Sequence, residues 1–262
     1  METSVTQSLQ FPNRAADART LLLYVHIPKA GGTSFTDLLA AVYESRFLHV
    51  QRRRRLRWPI EYYTAAAANR YLAISGHLPY GFHNAFGSAL PAVFNTPGAV
   101  FANRDLKYIS IMRDPVERVK SYYRYVTTTP SHRLHQRLKG LAPAAFFGLI
   151  EEFERHGGET RNQQSRMLGR GNVSDPAALW RSIRENFYAV GVLEDVDPFV
   201  AHLRRTLGWP DTAGLAHLNK SSSARAGAEF DADTLGWIRR NNAADIELYA
   251  CVRDEGPKYW KS

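Results

Sequence analysis

Three short clusters in this 262-residue chain combine residue types that suit the handling of an anionic group. The first is Pro28-Lys29-Ala30-Gly31-Gly32-Thr33-Ser34. Two adjacent glycines let the backbone turn sharply and approach a ligand with no Cβ in the way. A helix starting there presents unpaired N–H groups and a partial positive charge, which attract phosphate or sulfate. Lys29 adds a full positive charge. The second cluster is Gly76-His77-Leu78-Pro79-Tyr80-Gly81. A histidine between a glycine and a proline turn titrates near neutrality and suits general-base work; His83 is a second candidate close by. The third is Arg113-Asp114-Pro115, followed by Glu117, Arg118 and Ser121. An arginine grips a phosphate with two parallel hydrogen bonds, and a serine hydroxyl adds another. Each cluster also has an ordinary reading: a strand–turn–helix with a surface lysine, a loop histidine bonded to backbone, and structural ion pairing of Glu117 and Arg118.

The flanking residues predict how these clusters are held. Leu21–Ile27 is a short apolar run with β-formers, expected as a strand covered on both faces. Thr33 or Ser34 is expected to cap the next helix, with Phe35, Leu38, Leu39 and Val42 as its apolar stripe. Tyr71–Ser75 reads as a strand delivering His77 to the rim of a sheet, where open α/β sheets bind ligands. Lys107–Met112 reads as a strand ending at Arg113. Asp114 is a natural N-cap with Pro115 at the first helical position. Arg118, Ser121, Tyr122 and Tyr125 then share a helix face by their spacing. Further helices are expected over Tyr62–Asn69, Pro143–Phe153, Pro176–Glu185, Val196–Leu207 and Asp233–Arg253, a strand over Phe187–Leu193, and a loop over Asn84–Leu106. Strands alternating with helices make an α/β protein.

The order of the first loop excludes a Walker A motif, which needs its lysine after the last glycine and directly before Ser/Thr. Instead, PKAGGTS resembles the 5′-phosphosulfate loop of sulfotransferases that use PAPS (3′-phosphoadenosine 5′-phosphosulfate). IMRDPVERVKSYYRY resembles the segment by which that family binds the 3′-phosphate, most closely in the carbohydrate branch that includes the heparan and uronosyl 2-O-sulfotransferases. SGHLPYG resembles the segment carrying that family's histidine base. The resemblance covers most of residues 20–255 and implies a P-loop-like three-layer sandwich with a mainly parallel central sheet flanked by helices. It implies Lys29, Ala30, Gly31, Gly32, Thr33 and Ser34 around the phosphosulfate, and Arg113 and Ser121 on the 3′-phosphate. It implies Lys29 and His77 as catalytic groups and Lys220, in a loop like those that fold over the cofactor, as a further cofactor contact. The implied reaction passes a sulfuryl group from PAPS to an acceptor hydroxyl on a glycan or glycoconjugate, without a metal, and leaves PAP (3′-phosphoadenosine 5′-phosphate). Asn162–Leu168 resembles a segment on the family's acceptor side, with no chemistry assigned to it.

Composition sets the outer bounds. The net charge of +9 suggests an anionic partner, and Arg52–Arg55 with Arg57 form the densest basic patch. No aromatic-interleaved nucleic-acid platform accompanies that patch, so no nucleic-acid partner is expected. No apolar stretch approaches the roughly 20 residues of a membrane span. The single cysteine, Cys251, allows no intramolecular disulfide and suits a reducing, cytoplasmic setting. Residues 1–19 read as a polar leader, 20–255 as one domain and 256–262 as a tail. Two other classes compete: a P-loop-type nucleotide kinase, which would need Mg²⁺-binding carboxylates, and a non-catalytic module that binds an anionic polymer through the arginine patch.

Overall fold

The computed structural model describes residues 19–50, 70–85, 101, 103–153, 158–171, 173–210 and 228–262. The leader 1–18, the Arg52–Arg57 patch, the expected helix Tyr62–Asn69, most of the loop Asn84–Leu106 and the segment with Lys220 lie outside the described residues.

Five strands form the sheet: β1 (Thr20–Val25), β2 (Phe47–Val50), β3 (Ala73–Gly76), β4 (Asp105–Met112) and β5 (Phe187–Val192). Their order across the sheet is β2-β3-β1-β4-β5. All four pairings are parallel. The helices of the described residues are α1 (Gly32–Tyr43), α2 (Pro115–Thr128), α3 (His135–Leu138), α4 (Pro143–Phe153), α5 (Gln163–Leu168), α6 (Pro176–Asn186), α7 (Val196–Leu207), α8 (Ala232–Asn241) and α9 (Ala243–Glu255). The expected α/β class holds, with helices on both faces of a parallel sheet.

The side-chain alternation of β1 explains the layering. Leu22 and Tyr24 pack with Phe35, Leu38 and Leu39 of α1 and with Phe199, Val200 and Leu203 of α7. Leu21, Leu23 and Val25 point the other way, toward Met167 and Leu168 of α5, Trp180 and Ile183 of α6, and Leu248 and Val252 of α9. β1 is therefore buried on both faces, as its continuous apolar run predicts. Fully burying each such side chain contributes about 1.5–3 kcal/mol. A third cluster, from Val119 and Tyr122 of α2 through Phe146 of α4 to Ile238 of α8, stands apart from the sheet.

Several expectations need correction. Neither Thr33 nor Ser34 caps α1: the N-cap is Gly31 at φ 78°, with no side-chain cap, because a left-handed turn rather than a hydroxyl ends the preceding loop. Phe47–Val50, for which the sequence predicts no element, forms the edge strand β2 and is too short to show a period. The expected long helix Asp233–Arg253 is two helices, broken at Asn242 (φ −127°, ψ 28°). That break is held by tertiary bonds: Asn242 Nδ2 donates to Thr160 O at 2.8 Å, and its Oδ1 accepts from Asn162 N at 3.0 Å. The closing residues, expected as a tail, lie along β5. Trp260 Nε1 donates to Val190 O, and Lys261 N donates to Tyr188 O, each at 2.9 Å. This covers carbonyls of an edge strand that would otherwise pair with another chain.

Candidate functional site

The strand order fixes where a ligand can sit. The chain runs from β1 out to β2, back to β3 beside β1, and then across to β4 on the other side. The carboxyl end of β1, between β3 and β4, is thus a topological switch point, where open parallel sheets form a crevice. The three chemistry-bearing turns follow these three strands: Lys29 after β1, His77 after β3 and Arg113 after β4.

The β1 turn is tight. Ala30 N donates to Ile27 O at 3.3 Å, and Lys29 takes a left-handed φ of 67° ahead of Gly31. At Gly31 even the space is limiting, since a Cβ there would meet Leu193 Cδ1 at 2.4 Å. With Gly31 as N-cap, Gly32, Thr33 and Ser34 are the first three residues of α1, so their N–H groups have no partner within the helix. The first turn contains no acidic side chain. Ala30 is fully buried, whereas Thr33 is exposed and Ser34 half-buried.

Arg113 and Lys29 are drawn together. Arg113 Nη1 donates to the Lys29 carbonyl at 3.3 Å. The Lys29 ammonium lies 4.1 Å from the centre of the Tyr125 ring, a cation–π contact onto α2. Ser121 lies one turn before Tyr125 on the same side of α2, so its half-buried hydroxyl belongs to this neighbourhood. Burial pulls the Lys29 ammonium below its ordinary range; Glu159 opposes the shift and Arg113 adds to it. Burial likewise lowers the Arg113 guanidinium, against Glu194 and Glu117. Among the described residues neither cation has a carboxylate at ion-pair distance. Two partly buried cations without such a partner suit an anion supplied from outside.

The other members of the α2 cluster separate from this site. Asp114 caps α2, accepting from Glu117 N at 2.9 Å, so its carboxylate is committed to the helix. Arg118 and Tyr122 do not share the site face with Ser121 and Tyr125; both are fully buried, and Arg118 Nη2 donates to Glu159 O at 2.7 Å. The expected Glu117–Arg118 pairing is replaced by Glu117–Lys120 at 2.8 Å.

His77 is exposed at the end of β3. Its Nδ1 lies 2.9 Å from the carbonyl oxygen of His26. A carbonyl only accepts, so Nδ1 carries a proton, and when the ring is neutral the lone pair is on Nε2. His83 is differently placed: its Nδ1 bonds Tyr108 Oη at 2.6 Å, four residues back from the end of β4. Burial and the nearby Arg170 lower its pKa.

Sequence reasoning missed four side chains. His26 and His49 stand beside His77 on the neighbouring strand ends, with ring centres 4.3 Å (His26–His77) and 6.3 Å (His26–His49) apart. No group of three His, Cys, Asp or Glu among the described residues is arranged to hold a metal ion. Gln164 of α5 bonds the backbone of Arg113. Glu194 accepts from Asp114 N at 2.9 Å and from Tyr249 Oη at 3.0 Å. His26 was visible inside the HIPKAGG string, and Gln164 inside NQQSRML; nothing local marked Glu194 or His49.

No protein-family model matches the sequence, and no curated protein matches it. Among solved structures, the chain resembles mouse sulfotransferase SULT7A1 complexed with PAP, at 15% identity and a TM-score of 0.40. The match covers 87% of this chain and 64% of that one, so this chain spans less than two thirds of that protein's length. No helix among the described residues is long and apolar enough to cross a membrane.

Proposed function

We propose that the chain is a sulfotransferase that moves the sulfuryl group of PAPS to an acceptor hydroxyl, with a carbohydrate as the acceptor class. The observation that carries this reading is the meeting of Arg113 with the Lys29 turn at 3.3 Å, at the crevice flanked by His77 on the next strand. One molecule with anionic groups at both ends fits an uncapped helix start and two cations without carboxylate partners.

PAPS supplies a sulfuryl group already bonded to a good leaving group, its 5′-phosphate. The chain's contribution is positioning and charge neutralisation, as in phosphoryl transfer. The N–H groups of Gly32, Thr33 and Ser34, with the two hydroxyls, hold the phosphosulfate, and Ala30 and Gly31 shape the turn. Lys29 leaves the Tyr125 ring to meet the charge that grows on the bridging oxygen. Arg113 and Ser121 hold the 3′-phosphate, and Lys220 is kept as a proposed further contact. His77 Nε2 takes the proton of the acceptor hydroxyl as its oxygen bonds to sulfur and the bond from sulfur to the 5′-phosphate oxygen breaks. The electron pair of that bond leaves with PAP. The lone pair on His77 Nε2 supports His77 over His83 as the base, and Lys29 with the helix start meets the charge without calling on a metal.

Titration calorimetry with PAP and a mass-spectrometric acceptor screen with labelled PAPS test this. The expected result is PAP binding and a sulfated hydroxyl product among glycan acceptors. Absence of PAP binding overturns the reading, and Mg²⁺-dependent ATP turnover in its place would make the chain a kinase.

A further inference from the structure

His26 has no part in the roles above, yet it lies against the first residue of α1. It follows β1 directly, and its backbone N–H donates to Gly76 O at 3.0 Å, which continues the sheet. Its side chain is 7% exposed. Nδ1 is enclosed and has no hydrogen-bond partner among the described residues. The other edge of the ring abuts the anion loop: a Cβ built on Gly32 would lie 2.0 Å from both Cδ2 and Nε2 of His26. Gly32 is therefore a glycine because the imidazole occupies the place of its side chain.

The surroundings keep this ring neutral. It stacks on Tyr24, with ring centres 5.6 Å apart and planes 12° apart, and it faces His77, His49 and Lys29. Burial first, and then the charges of His77, His49 and Lys29, push its pKa down to about 3. A neutral imidazole has a single N–H. Enclosing an N–H with no acceptor is rarer in folded proteins than leaving an acceptor unsatisfied, which puts the proton on Nε2, at the Gly32 edge.

We infer that His26 is a donor-binding residue, giving a hydrogen bond from Nε2–H to an oxygen of the 5′-phosphosulfate at the start of α1. This rests on the sulfotransferase reading. A neutral donor fixed beside developing negative charge stabilises it without competing for the acceptor's proton. The enclosed Nδ1 follows from the same arrangement: the ring is oriented by Tyr24 stacking and the Gly32 contact so that Nε2 faces the loop.

The test compares PAP affinity by calorimetry in the wild type, His26→Gln, His26→Asn and His26→Phe, with folding checked by thermal melts. A glutamine amide reaches the position of Nε2 and an asparagine amide that of Nδ1. Gln should retain most of the affinity, whereas Asn and Phe should each weaken PAP binding ~10-fold or more. Nitrogen-15 NMR of the wild type should show a neutral Nε2–H ring through about pH 5.5–8, shifting when PAP is added. Equal PAP affinity in all four proteins, or a Nδ1–H tautomer in the free protein, overturns the inference and leaves the sulfotransferase reading standing. If the wild type binds no PAP, the sulfotransferase reading fails and the ligand assigned to His26 fails with it.

Discussion

Gln164 holds both backbone polar groups of Arg113: its Oε1 accepts from Arg113 N at 2.9 Å, and its Nε2 donates to Arg113 O at 2.8 Å. The glutamine is fully buried. It is held in turn by α9, where Asp245 Oδ2 accepts from Gln164 N at 3.1 Å and Asp245 Oδ1 from Ser165 N at 2.7 Å. The peptide that aims Arg113 is therefore fixed from a helix more than fifty residues away.

Gln164→Leu should leave two part-buried backbone groups of Arg113 without their side-chain partner, at up to about 1–3 kcal/mol each. Gln164→Glu keeps the acceptor but sets a buried carboxylate oxygen against Arg113 O, so it should cost more. Urea unfolding measures both, and PAP calorimetry on the folded fraction should show weaker binding in the same order. A Gln164→Leu protein as stable as the wild type would show that the amide bonds contribute nothing net.

His77→Ala should lower turnover by about 10²–10⁴-fold, the usual contribution of a positioned base. PAP affinity should stay close to that of the wild type, because in the proposed reaction His77 meets the acceptor hydroxyl and not PAP. Steady-state rates set beside PAP calorimetry separate the two effects. Unchanged turnover would remove His77 from the reaction and return attention to His83.

Arg113→Ala should weaken PAP binding by about 1.5–3 kcal/mol, the range for a hydrogen bond to a charged group. Arg113→Lys should recover only part of it, since an ammonium lacks the guanidinium's two-pronged grip. PAP titrations of both variants at two salt concentrations would read this. Affinity equal to the wild type in the alanine variant would place the 3′-phosphate elsewhere.

His26 also sets a pH dependence of stability. Its pKa falls from 6.5 toward about 3 on folding. Between those values the unfolded chain binds a proton that the folded chain refuses, so stability rises with pH across that window. The stabilisation is fully present above about pH 6.5 and is lost as pH falls toward about 3. His49, lowered chiefly by burial, acts in the same direction. Urea melts between about pH 7.5 and 4.5 should show an acid-side loss that is shallower in His26→Gln. Parallel curves for the two proteins would mean that His26 takes up its proton as readily folded as unfolded.

Much of the architecture was legible because it is decided by neighbours a few residues apart. The apolar run of β1, the Asp114–Pro115 helix start, and the spans of Pro143–Phe153 and Val196–Leu207 follow from caps, propensity and period, and the structure carries all of them. Local signals were weakest where distant residues intervene. A period-based reading carries one helix through Asn242, because the bonds that break it come from Thr160 and Asn162, some eighty residues earlier. The face of α2 divides between core and site because Arg118 is drawn inward to Glu159.

The sequence by itself determined which residue types stand in the three turns, and that those turns end strands and open helices, since backbone preference and side-chain chemistry are properties of short segments. Only the tertiary structure decided that the turns lie at neighbouring strand ends, that Arg113 reaches the Lys29 carbonyl, and that His77 Nδ1 meets the His26 carbonyl. The physical reason is parallel pairing: β1 takes β3 and β4 as partners across about fifty and eighty-five residues of chain. The register of those pairings, set by burial on both faces of the sheet, brings each turn to the same edge.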